Sequence, residues 1–143
     1  MKNKLLVALS TFAKSGDKPL NLLKNSGYDY YVNPLGRRLN SDEVVKMGLD
    51  ATGIIAGLEP YTKNVLSGLP NLKCISRAGV GIDNIDQDFA KSIGIEIRNT
   101  PDVVVQPVIV LVLALLFDLL RKTTLHTNII KSGKWDRHVG NLL

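Results

Sequence analysis

Arg77 stands immediately ahead of a glycine-rich segment, Ala78-Gly79-Val80-Gly81-Ile82-Asp83-Asn84-Ile85-Asp86. These residue types at this spacing suit one kind of chemistry. An apolar run, Leu72 to Ile75, precedes the segment and reads as a strand, and a helix is expected to start near Asp86. A glycine turn between a strand and a helix presents bare backbone N–H groups, and the helix start adds partial positive charge. Arg77 adds a permanent cation with a planar fork of donors. The expected product is a receptor for a small carboxylate or phosphate, built from Arg77, Ala78, Gly79, Val80 and Gly81 with Lys14 assisting.

Other arrangements are weaker. Gly79-Val80-Gly81-Ile82-Asp83-Asn84 falls one glycine short of the dinucleotide fingerprint, with Asn84 in the third glycine position. The strand expected at Ile95–Arg98 runs into Arg98-Asn99-Thr100 rather than an acidic residue. Asp42-Glu43 reads as a helix start, and Asp83 with Asp86 as a turn and a cap. The lone Cys74 excludes an internal disulfide and reads as a small buried hydrophobe. Trp135 is expected to pack on a linking helix, and His126 and His138 to be surface or interdomain residues.

Alternating apolar runs and amphipathic segments must position the receptor. Strands are expected at Lys4–Leu9, Tyr28–Val32, Gly53–Ala56, Leu72–Ser76 and Ile95–Arg98. Helices are expected at Lys18–Lys24, at Asp42–Met47 with Ser41 as its cap, from Thr62 or Lys63 to near Gly68, at Gln87–Ser92 capped by Asp86, at about Val104–Arg121, and at about Thr124–Ser132. Strands alternating with helices imply βαβ units. The fold class is therefore α/β, a flavodoxin-like parallel sheet of about five strands with helices on both faces and a long C-terminal linking helix. Ligands of such sheets sit off the carboxyl ends of the strands. The loops Ser10–Lys14, Gly57–Pro60 and Ser76–Asn84 lie there, and their cations are Lys14 and Arg77.

The chain has 143 residues, a net charge of +5 and a mean hydropathy of +0.08. The mild positive charge suits an anionic small molecule. Lys and Arg form no dense run, so nucleic acid is not the expected partner. The start of the chain reads as a first strand rather than a leader, and the expected location is cytoplasmic. Val103–Phe117 is 15 residues long and includes Gln106 and Pro107, whereas a membrane span takes about 20 apolar residues. No membrane is expected, and the helix should be buried on all sides.

The string Leu72 to Asp86, then Gly94-Ile95 and Asn99-Thr100-Pro101, resembles the substrate-binding domain of the NAD-dependent D-2-hydroxyacid dehydrogenases. The similarity is strongest to the D-3-phosphoglycerate dehydrogenase branch, which serves serine biosynthesis. Ser10-Thr11-Phe12, Gly57-Leu58-Glu59-Pro60 and Gly133-Lys134-Trp135 are similar as well, so the resemblance covers essentially the whole chain. It implies a substrate domain over 1–101 and linking helices over 102–143 that lead to a dinucleotide-binding domain. It also implies that the Val80 and Gly81 amides hold the carboxylate of a D-2-hydroxy or 2-oxo acid and that Arg77 assists. Asn99, Thr100 and Pro101 would border the NAD cleft, and the 103–120 helix would build a homodimer.

The family's G-x-G-x-x-G and its catalytic Arg, Glu and His are not in this sequence, so no catalytic residue is assigned and no turnover or NAD binding is expected of this chain alone. Where the family commonly has Ala-Glu-x-Thr, this chain has Ile109-Val110-Leu111-Val112. Two other readings stay open, a carboxylate-binding module without catalysis and an interaction protein that dimerises through the apolar helix.

Overall fold

The computed structural model describes residues 3–137, 139 and 140, so the expectation for His138 lies outside the described residues. The chain divides into two compact units at the Pro101–Asp102 boundary.

The first unit is a five-stranded, all-parallel sheet in the order β2-β1-β3-β4-β5. Its strands are β1 (Lys4–Val7), β2 (Asp29–Val32), β3 (Gly53–Ala56), β4 (Cys74–Arg77) and β5 (Glu96–Asn99). They alternate with α1 (Lys18–Lys24), α2 (Ser41–Gly48), α3 (Lys63–Ser67) and α4 (Gln87–Ser92). This is the flavodoxin-like strand order, whose direction reverses between β1 and β3. Right-handed crossovers put α1 on one face and α2, α3 and α4 on the other. Leu6, Val44, Ile54, Leu66 and Ile75 are buried between layers, each at 2% exposure or less.

Most elements stand where the apolar pattern puts them, and their ends differ for local reasons. β1 stops at Val7, because the amides of Ala8 and Leu9 both donate to the Ile55 carbonyl and the chain peels off the ladder. β4 starts at Cys74, because the Leu72 amide is spent on a turn to Leu69 O. The cap of α2 is Asn40, not Ser41. Its side chain accepts from Glu43 N at 2.9 Å, and the Glu43 carboxylate accepts from Asn40 N at 2.9 Å, a reciprocal capping box. Asp86 caps α4 as expected, accepting from Phe89 N at 3.0 Å. Cys74 is half-buried rather than buried; desolvation raises its thiol pKa, and neighbouring Glu96 adds to the rise.

The second unit contains a 3-10 turn (Asp102–Val104), α5 (Val105–Arg121) and α6 (Thr123–Lys131). Pro107 sits in the first turn of α5, where its missing N–H breaks no helical bond. Lys122, at φ +52°, ends α5, and the Asp118 carboxylate turns the chain by accepting from Thr124 N at 2.8 Å and from the Thr123 hydroxyl. These contacts lower the Asp118 pKa.

The expectation that this helix is buried on all sides fails in this chain. No residue of α5 is buried, and Val110 and Leu119 are 63% and 76% exposed. Its own unit supplies only the short α6, which cannot surround it. By length and composition alone, the Asp102–Arg121 stretch is long and apolar enough to cross a membrane. Trp135 is 87% exposed, so it does not pack on α5 as expected. Together with His126 and Ile130 it edges a small cleft of about 170 Å³.

Candidate functional site

The carboxyl ends of β1, β3, β4 and β5 deliver four loops to one side of the sheet. The turn after β4 is the most constrained of them. Ala78 N donates to Ala56 O at 2.9 Å, which ties the start of the turn to β3. Gly79 N donates to Thr100 Oγ1 at 2.8 Å, and Thr100 N returns a bond to Gly79 O at 3.0 Å. Asn99 Nδ2 donates to Val80 O at 2.8 Å. The segment after β5 therefore holds the glycine turn from one side.

Gly79 has φ +134°, and a Cβ there would collide with Arg77 Nη1 as it now lies. The positive φ favours glycine here, and a Cβ would push aside the guanidinium that folds over this residue. Arg77 is half-buried, its Nη1 donates to Ala78 O at 2.5 Å, and its buried Nε has no partner. The Ala78 and Gly79 amides are thus consumed by the fold. Among the described residues the Val80 and Gly81 amides have no protein acceptor, and they come three and four positions after the arginine. Adjacent unpaired N–H groups beside a cation form an anion-binding concavity.

Beside this turn lies a cleft of about 360 Å³, lined by Leu9, Phe12, Lys18, Ile55 and Ala78 among others. Lys14 is exposed on the same loop as Phe12 and does not line it; the lining lysine is Lys18. Pro101 is exposed at the end of the segment that props the turn. A larger groove of about 630 Å³ runs past Tyr31, Leu35, Glu43 and Met47, and no residue of the glycine turn lines it. Among the described residues no His, Cys, Asp and Glu cluster could hold a metal ion.

Sequence reasoning missed Glu59 and Tyr61. Both are buried, at 1% and 0% exposure. Glu59 Oε2 accepts from Gly57 N at 2.6 Å and from the Tyr61 hydroxyl at 3.4 Å. Burial, reinforced by the Glu59 charge, raises the Tyr61 pKa. The role of Asn84 was also missed. Its Nδ2 donates to Gly57 O at 3.3 Å and to Glu59 O at 2.7 Å, so the residue in the third glycine position is a stitch between loops. A glutamate in a loop ordinarily signals the surface; the tyrosine two residues on was the one sign of burial.

A family model, the catalytic domain of the D-isomer-specific 2-hydroxyacid dehydrogenases, matches residues 8–108. The hydroxypyruvate reductase of Thermotoga maritima is 33% identical over 100 residues, which are 69% of this chain and 33% of that protein. The D-3-phosphoglycerate dehydrogenase of Methanocaldococcus jannaschii is 40% identical over 76 residues, 53% of this chain and 14% of that protein. The chain thus spans a third or less of these relatives' length. In fold it is similar to the NAD+-bound 3-phosphoglycerate dehydrogenase of Entamoeba histolytica, with a TM-score of 0.74 at 21% identity over 100% of this chain and 44% of that one. It is likewise similar to the D-lactate dehydrogenase of Aquifex aeolicus in complex with NAD and lactic acid, with a TM-score of 0.73 at 20% identity over 95% of this chain and 39% of that one. The family match covers the whole sheet beyond β1 and the entire glycine turn, and on it this chain belongs to the D-isomer-specific 2-hydroxyacid dehydrogenases.

Proposed function

We propose that this chain is the substrate-binding portion of an NAD-linked oxidoreductase acting on the CH–OH group of a D-2-hydroxy acid. The observation that carries the proposal is the pair of unpartnered amides, Val80 and Gly81, three and four positions after Arg77 at the carboxyl edge of the sheet. The two N–H groups take the substrate carboxylate, and Arg77 supplies the opposing charge. Lys14 and Lys18, on the loop and helix after β1, provide further positive charge for an anionic tail such as a phosphate. Asn99 and Thr100, which prop the turn, border the nicotinamide cleft together with Pro101.

NAD would be held by a dinucleotide-binding domain to which residues 102–143 lead. Hydride transfer needs the nicotinamide and a general acid placed against the substrate carbon and oxygen. This sequence supplies neither, so the chain alone binds acid weakly and turns over nothing. An acid open to water on one side gains little burial, and millimolar affinity, about 4 kcal/mol, is expected. The location is cytoplasmic.

The exposure of α5 favours a second reading, in which the chain acts as a dimerising module through residues 103–120. Two assays separate the readings. With D-glycerate and NAD the chain forms no reduced nicotinamide, but it binds D-glycerate saturably, and Arg77→Ala weakens that binding at least fivefold. No binding by the parent chain, or equal binding by Arg77→Ala, overturns the first reading.

A further inference from the structure

Glu59 is a fully buried carboxylate with no part in contacting substrate, and it sits on the loop beside the receptor. We infer that Glu59 is a positioning residue for the anion-binding turn, acting through Tyr61 and Asn84. This inference rests on the carboxylate-receptor reading of Val80 and Gly81.

The geometry runs in one direction, from β3 to the turn. β3 ends at Ala56, and the next amide, Gly57 N, would be an orphan donor at the sheet edge. Glu59 Oε2 takes it at 2.6 Å, which curls residues 57–59 into a tight loop. The curl points the Gly57 and Glu59 carbonyls to one side, where a single side-chain amide, Asn84 Nδ2, donates to both. Tyr61 then locks the same segment by its backbone. Its N–H donates to Asn84 O at 2.8 Å, its O accepts from Asp86 N at 3.0 Å, and it forms a parallel bridge with Ile85. Its hydroxyl returns to Glu59 Oε2 at 3.4 Å.

Residues 84–86 are thereby fixed to the loop that follows β3, and Thr100 and Asn99 fix residues 79 and 80. Between these anchors lie Val80, with its amide, and Gly81. The two unpartnered N–H groups are held from both ends, and the far anchor depends on a carboxylate that itself touches no ligand. A buried polar group that satisfies several neighbours specifies one local arrangement, because each alternative leaves a donor unpaired.

A ligand-free measurement keeps this inference separate from the substrate reading. Backbone heteronuclear NOEs and amide shifts are recorded for the parent chain and for Glu59→Gln, Glu59→Ala and Tyr61→Phe. Glutamine retains an acceptor for Gly57 N, so Glu59→Gln keeps the parental values. Glu59→Ala lowers the NOEs and moves the shifts of Val80 through Asn84 while leaving Leu6 and Ile54 of the core unchanged. Tyr61→Phe, which removes only the hydroxyl, gives a smaller change in the same residues and covers the case in which Glu59→Ala does not fold. Val80 to Asn84 at parental values in Tyr61→Phe and in any folded Glu59→Ala overturns the inference, as does a Glu59→Gln variant as mobile as Glu59→Ala. D-Glycerate is then added. Binding at least tenfold weaker in Glu59→Ala, with Glu59→Gln within about threefold of the parent, is the expected result, and equal affinity in all variants overturns the inference. If the parent chain itself binds no D-glycerate, the substrate reading fails and the ligand-free data alone decide the positioning role.

Discussion

At the scale of single residues, Gly79 couples shape to charge. Its left-handed backbone and lack of a Cβ let the Arg77 guanidinium lie across the turn, so the cation is placed by the absence of a side chain two residues away. Gly79→Ala is expected to cost about 1–3 kcal/mol, read as a lowered midpoint in urea denaturation, and to displace Arg77. Glu43 makes a different kind of contact. Arg37 grips its carboxylate at 2.6 and 2.9 Å, and that pairing, helped by the Asn40 amide, holds its pKa at about 2 against an ordinary 4.5. Because the folded value is depressed, the contribution to stability is complete above about pH 4.5 and is lost as pH falls through about 2. A carboxyl-carbon titration should place Glu43 near 2, and Arg37→Met should return it toward its ordinary range. A midpoint near 4.5 in the parent chain would contradict the pairing.

At the scale of elements, α2 is started by its capping box. Asn40→Ala should cost about 1 kcal/mol, seen in denaturant unfolding, while Ser41→Ala should cost less because Ser41 is not the cap. Most elements were legible from the sequence, since alternating apolar runs mark strands of a buried parallel sheet and Gly94 and Asp86 punctuate α4. The cap of α2 was misplaced by one residue, although Glu43, three positions after Asn40, carries the signal. The turn after β4 was legible from its glycines. Its supports were not, because hydrogen bonds from Thr100, Asn99 and Asn84 arise from strand neighbours far apart in sequence, and a buried Glu59 looks the same in sequence as an exposed one. The apolarity of α5 was plain, but hydropathy calls for cover without saying what provides it. Since none of α5 is buried here, sedimentation of this chain should show association that grows with concentration, and Leu111→Glu should reduce it. A chain that stays monomeric throughout would remove the dimer reading.

At the scale of the whole molecule, the sheet order that reverses between β1 and β3 gathers the loops of four strands at one edge. The glycine turn lies there with two amides unspent. The ends of β3 and β5 and the loop after β3 fix that turn, and the second unit contains an apolar helix with no buried residue. The proposal that follows is a half-site, which would hold an acid and would not oxidise it by itself. The most direct test is an amide ¹H–¹⁵N spectrum titrated first with 3-phosphoglycerate and then with NAD. Shifts confined to Val80, Gly81 and the Arg77 neighbourhood with the acid, and none with NAD, are the predicted result. No shift with the acid even at tens of millimolar, or shifts centred away from this turn, would contradict it.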